Sequence, residues 1–88
     1  MINEKIQQAM NEQIKHELES AYLYLAMSAW FSAQGWDGMA AWMRVQAKEE
    51  QAHAMKFYGH ILERGGRIDL LALAKPKTEW SSPLNAFE

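Results

Sequence analysis

Apolar and polar positions follow a helical step over two long stretches of the chain, and glycine marks the break after each. From Ile2 to Ala33 there is no Gly or Pro, and most residues are strong helix formers such as Glu, Lys, Gln, Ala, Leu and Met. Ile6, Met10, Ile14, Glu17, Ala21, Tyr24 and Ser28 recur every three or four residues, which predicts a helix over about residues 3–33 with that stripe turned inward. The stretch Gln34-Gly35-Trp36-Asp37-Gly38 reads as a tight turn, with the Asp37 side chain expected to cap the next helix. A second stripe of Met39, Trp42 or Met43, Gln46, Glu50, His53, Phe57 and Ile61 predicts a helix over about 39–64. Arg64 in its last turn, followed by Gly65 and Gly66, supplies the stop. The expectation is an all-α protein whose two long helices form an antiparallel hairpin.

Residues 65–82 carry no sustained period and contain Lys75-Pro76-Lys77 and Ser81-Ser82-Pro83, so they read as a connector. It is long for a connector, and at about 3.3 Å per residue it is able to run back beside a helix roughly 39 Å long, as a crossover between parallel helices requires. Ser82 as cap and Pro83 in the first turn open a third helix over 83–88, which reads as truncated and marks the chain as a fragment. The 88 residues are expected to form a single half-domain.

Composition narrows the chemistry mainly by exclusion. No cysteine is present, which removes disulfides, thiolate metal sites and thiol nucleophiles. A net charge of -2 argues against nucleic acid as a partner. No apolar run reaches the ~18 to 20 residues of a membrane span, and no secretory leader is visible, so no membrane partner and a cytoplasmic location are expected.

Two acids and one imidazole then stand out. Glu50-Gln51-Ala52-His53 places a carboxylate and an imidazole one turn apart on one helix face. Glu17 lies mid-way along the inner stripe of the first helix, and antiparallel pairing brings the helix middles level. Inward carboxylates are costly unless paired, protonated or coordinated, and no Lys or Arg lies on either stripe. Carboxylate oxygens with one imidazole nitrogen suit iron, manganese or zinc better than magnesium or calcium. Tyr24 and the four Trp residues read as packing groups, Glu49 as solvated or an accessory ligand, and His16 and His60 as surface residues.

Several stretches in order carry a family likeness. Asn11-Glu12-Gln13 followed by Glu17 and by Ser20 through Ser28 forms the first, and Ala41-Trp42-Met43 leading through Arg44 to Glu50 the second. Gln51 through Tyr58, Glu63-Arg64-Gly65-Gly66-Arg67, Lys75-Pro76 and Trp80 to Glu88 complete it. Together these resemble the N-terminal half of a ferritin subunit of the bacterial and archaeal non-haem type, over essentially the whole chain. The resemblance implies a four-helix bundle that oxidises Fe(II) with dioxygen or peroxide at a di-iron site and stores ferric mineral in a cage. It also implies that Glu17, Glu50 and His53 are ligands of the first iron, with Glu50 bridging to the second. Tyr24 falls on the tyrosine beside the site, and Glu49 on an accessory iron position. Haem is not expected, because Ala52 stands where the haem-binding relatives carry Met.

A hairpin alone leaves one apolar flank uncovered, which predicts association. Two hairpins about a two-fold axis would gather two Glu17, two Glu50 and two His53, the ligand set of a symmetric di-metal bundle. A separate second-half chain is the other way to complete it. A non-catalytic oligomerisation module and an inert ferritin fragment are the readings of a different class.

Overall fold

A computed structural model describes residues 2–87 and shows an all-α protein: α1 at Glu4–Ala33, α2 at Asp37–Glu63 and a single turn, α3, at Pro83–Ala86. The third-helix expectation at Glu88 lies outside the described residues. α1 starts where the Asn3 side chain accepts a hydrogen bond from the Lys5 amide at 2.8 Å. Both long helices end in the same way. Gly35 and Gly65 take φ of 82° and 74°, and the next amide reaches back to a carbonyl one turn in, Trp36 to Phe31 and Gly66 to Ile61, each at 2.8 Å. Side chains rarely adopt that left-handed φ, so glycine there closes the helix at low strain. The three-residue link leaves α2 no path except back along α1.

Two sequence expectations need correction here. Asp37 does not cap α2. It is the first helical residue, and the cap position is held by Trp36 without a side-chain hydrogen bond. The carboxylate therefore acts only on the helix dipole in the first turn. The inner stripe holds in part: Ile14, Ala21 and Ser28 are buried as expected, joined by Asn11, Met27 and Phe31, while Ile6 is 52% exposed and Met10, Glu17 and Tyr24 are half-buried. α2 buries Ala40, Met43, Ala47, Ala54 and Ile61. The stripe read from the sequence runs along one edge of the true seam, because a bundle helix contacts more than one neighbour and its apolar arc is wider than a two-helix contact.

Small residues line the seam along its length, and large ones join them toward its ends. Ala21, Ala40, Ala47 and Ala54 let the backbones approach, and the buried Ser28 hydroxyl crosses to the Ala40 carbonyl at 2.7 Å. One apolar cluster, near the turn, gathers Met27, Phe31, Ala40 and Met43, with Tyr24, Trp30, Met39, Trp80 and Ala86 against it. The other, near the open end, gathers Ile14, Ala54 and Ile61, with Met10, Leu18, Phe57 and Ile68 against it. Between them lies a waist without large apolar side chains.

The connector runs beside α1 in the same direction, tied down by polar side chains of that helix. Gln7 accepts from the Arg67 amide at 2.9 Å, and Glu19 accepts from the Ala74 amide at 2.7 Å. Between them the buried Asn11 donates to the Arg67 carbonyl at 3.0 Å and accepts from the Asp69 amide at 2.9 Å. This crossover returns the chain to the turn end, where Trp80 packs edge-on to Trp30 and Phe87 stacks near Phe31, with ring centres 5.8 Å apart in both pairs. Ser82 caps α3 by accepting from the Asn85 amide at 3.1 Å. Among the described residues, no helix is long and apolar enough to cross a membrane.

Asn11→Ala removes both sides of the central tie and strands a connector amide and carbonyl. Unfolding in urea should show a loss of about 1–3 kcal/mol, and limited proteolysis should cut residues 67–74 first.

Candidate metal centre

The waist between the two apolar clusters is where Glu17 of α1 meets Glu50 and His53 of α2. Each of the three offers a ligand atom, and those atoms all lie within 4.8 Å of one another. His53 Nδ1 is 3.4 Å from Glu17 Oε2 and 3.8 Å from Glu50 Oε1, so this ring nitrogen, not Nε2, faces the acids. The two carboxylates are mostly covered, with side chains 15% and 21% exposed, whereas the imidazole is 49% exposed. All three open onto the flank of the hairpin that the connector does not cross. Helix geometry explains the convergence: Glu50 and His53 are one turn apart, and the short link sets α1 and α2 antiparallel with Glu17 opposite them.

Two acids this close cannot both keep ordinary acidity. A hydrogen bond between the carboxyl groups holds Glu17 below the usual carboxylate range and, together with burial and the charge of Glu17, pushes Glu50 above it. Of the two acids, Glu50 is therefore the one that takes up a proton first as pH falls. Gln13 adds a hydrogen bond to Glu17 Oε1 at 3.0 Å. Among the described residues, no Lys or Arg forms an ion pair with either acid; the only ion-pair distances they make are to His53. A pair of carboxylates and an imidazole, without a protein cation to neutralise them, is a donor set that a divalent transition metal ion satisfies.

The remaining candidate residues occupy different places. Tyr24 is half-buried and lines a cavity of ≈560 Å³ at the turn end with Leu23, Met27, Trp42, Gln46 and Phe87. Glu49 is exposed and does not join the three-residue cluster. His16 is exposed. His60 is not a plain surface residue: it is half-buried and lines a second cavity of ≈500 Å³ with Met10, Glu17, His53, Lys56 and Phe57. Gln13 escaped the sequence reading. Its signal was the four-residue spacing before Glu17, which on a helix puts an amide in reach of a carboxylate.

The profile of the ferritin-like domain family matches residues 7–88. Over all 88 residues the chain is 43% identical to a bacterial non-heme ferritin of Bacteroides fragilis, of which it covers 55%. It is 41% identical to one of Staphylococcus saprophyticus, of which it covers 53%. Among solved structures, an open-pore ferritin of Archaeoglobus fulgidus superposes with a TM-score of 0.96 at 50% identity, over 99% of this chain and 54% of that one. A form of the same archaeal ferritin engineered to be closed gives 0.96 and 50%, over 99% and 53%. The chain thus spans about half the length of the curated relatives it matches.

The raised pKa of Glu50 has a measurable consequence. The stability that a raised carboxyl pKa contributes is full below the ordinary value and is lost as pH rises through the raised one; the lowered pKa of Glu17 acts the other way, and its contribution is lost only as pH falls through that lowered value. Glu50→Gln supplies a permanent donor to Glu17. In metal-free protein at pH 7 it should raise stability by up to about 1 kcal/mol, a gain that shrinks as pH is lowered until Glu50 is protonated in the parent. Thermal melts from pH 4 to 8 check this.

Proposed function

This chain belongs to the ferritin-like family, and we propose that its hairpin binds Fe(II) through Glu17, Glu50 and His53 and oxidises it to Fe(III) in a bundle completed by a second copy. The observation that carries the proposal is the convergence of the three ligand atoms within 4.8 Å on the uncovered flank. Met10 and Phe57 line the open cavity that Glu17 and His53 border, so a partner laid on that flank buries apolar area as it closes the site. A two-fold copy contributes the same three ligands again, which gives four carboxylates and two imidazoles around two ions. A separate chain carrying the other half of a ferritin subunit would complete the bundle with different ligands.

The residues of this chain do the following. Fe(II) takes up the charge of Glu17 and Glu50, and because it competes with protons for both acids its binding weakens as pH falls. His53 binds through Nδ1, the nitrogen turned toward the acids, and leaves Nε2 to solvent or to the partner. Anionic oxygen donors stabilise Fe(III) over Fe(II), which drives electron loss. Two Fe(II) ions give up one electron each to dioxygen, which leaves with two protons as hydrogen peroxide. On the same reading, Tyr24, which lines the separate turn-end cavity, passes a proton or an electron, and Glu49 offers an outer carboxylate for iron in transit. Iron is the substrate here; haem has no part in the proposal. Storage of ferric mineral and assembly of a cage are what the family relationship adds, in the same cytoplasmic setting.

Anaerobic titration of the 88-residue chain with Fe(II), with light scattering to follow mass, tests the reading. Saturation at one Fe(II) per chain in a two-chain species, then rapid near-ultraviolet absorbance growth when oxygen is admitted, is the expected result. Glu17→Ala and His53→Ala should each weaken binding at least about tenfold. Binding no stronger than in those variants would leave a packing module or an inert ferritin fragment. A species with the right iron stoichiometry only after a second polypeptide is added would replace the second copy with a second-half chain.

A further inference from the structure

The two acids of the site share a sequence feature that the fold uses only once. Each has a glutamine four residues before it, Gln13 before Glu17 and Gln46 before Glu50, and on a helix that spacing places the amide above the carboxylate. In the structure, Gln13 Nε2 donates to Glu17 Oε1 at 3.0 Å. Gln46 makes no such bond. It lines the turn-end cavity with Tyr24 and Trp42 instead, and none of the side-chain hydrogen bonds among the described residues connects it to Glu50.

This leaves the two carboxylates in different states of restraint. Oε1 of Glu17 is turned toward Gln13, along the helix toward its N-terminus, while Oε2 is the oxygen that stands 3.4 Å from His53 Nδ1. Swinging Oε1 toward the ligand cluster would break the amide hydrogen bond, and in a half-buried place no water replaces it freely. Among the described residues, Glu50 has no amide partner of this kind; its carboxyl group meets Glu17 in the hydrogen bond between the two acids.

Building on the reading of this cluster as an Fe(II) site, we infer that Gln13 is a positioning residue that holds back one oxygen of Glu17, so that Glu17 binds through its other oxygen alone. Gln13 touches neither metal nor oxygen and acts only through Glu17, as hydrogen-bond partners of metal ligands do elsewhere.

Co(II) is the probe that separates this from a purely structural role, because its visible ligand-field absorption reports the number and kind of donors while its titration reports affinity. The full chain and four variants, Gln13→Met, Gln13→Glu, Gln46→Met and Glu17→Ala, are titrated with Co(II) at pH 7, with helix content checked by circular dichroism. Gln13→Met keeps length and helix propensity but has no donor; Gln13→Glu keeps the shape and replaces the donor with an acceptor. Both should bind Co(II) about tenfold more weakly than the parent. Gln13→Met should also shift the absorption band as Glu17 becomes free to bind through both oxygens. Gln46→Met should leave affinity and band unchanged. If both Gln13 variants match the parent in affinity and spectrum while Glu17→Ala loses binding, the clamp is wrong and the site stands. If Glu17→Ala binds as well as the parent, the site reading itself fails, and the clamp fails with it.

Discussion

Everything distinctive in this hairpin follows from placing two carboxylates within reach of each other at a place where, among the described residues, no Lys or Arg makes an ion pair with them. Such a pair is destabilising in proportion to its burial, and a packed core would be the cheaper use of the same positions. The fold limits the damage in three ways that involve no metal. It hydrogen-bonds the Glu17 and Glu50 carboxyl groups to each other, it gives Glu17 the Gln13 amide, and it leaves the His53 imidazole half in solvent. All three are partial remedies. A bound cation replaces the first, keeps the second and uses the third, which is why the arrangement makes more sense as a metal site than as a packing defect.

The apolar clusters on either side are what make the placement possible. With Phe31 and Met43 fully buried near the turn and Ile61 near the open end, the hairpin is pinned at two separated points. The waist therefore does not need large side chains for stability. Alanines there set a close helix spacing, and that spacing is what brings an acid on α1 within ligand distance of an acid and an imidazole on α2. The connector contributes from the opposite side. Its ties to Gln7, Asn11 and Glu19 keep it along one flank of α1, so the cavity that Glu17 and His53 line carries no connector residue.

How much of this could be read from the sequence depended on whether the signal was local. Helix ends were legible, because the glycines after Ala33 and Arg64 and the pair Ser82-Pro83 act through backbone geometry that neighbouring residues alone determine. The Glu50 and His53 pairing was legible for the same reason, and Glu17 became so once antiparallel pairing was assumed. The phase of the stripes was not. Ile6, Glu17 and Tyr24 follow the helical step as well as Asn11 and Phe31 do, and periodicity cannot tell the seam between two helices from the edge that awaits two more. Asp37 failed as a cap because the chain enters α2 two residues earlier than its glycines suggest. Asn11 was passed over, although an asparagine amid strong helix formers is a weak choice for a helix interior and commonly signals a side chain committed to backbone groups elsewhere.

The open flank and the paired acids belong to one problem. A helix pair that displays apolar side chains associates, yet association also buries the Glu17 and Glu50 carboxyls further, which raises their cost unless their charge is met as they are covered. Closure without metal therefore has to retain protons on the acids, and closure with metal releases them. Assembly, metal uptake and proton release are in this way linked through the same two side chains: a cation that binds Glu17, Glu50 and His53 favours the covered state because covering is less costly once the charge is neutralised, and the covered state binds the cation more tightly for the same reason. The linkage needs no moving part. It follows from the placement of two acids on the one face of the hairpin that remains to be covered.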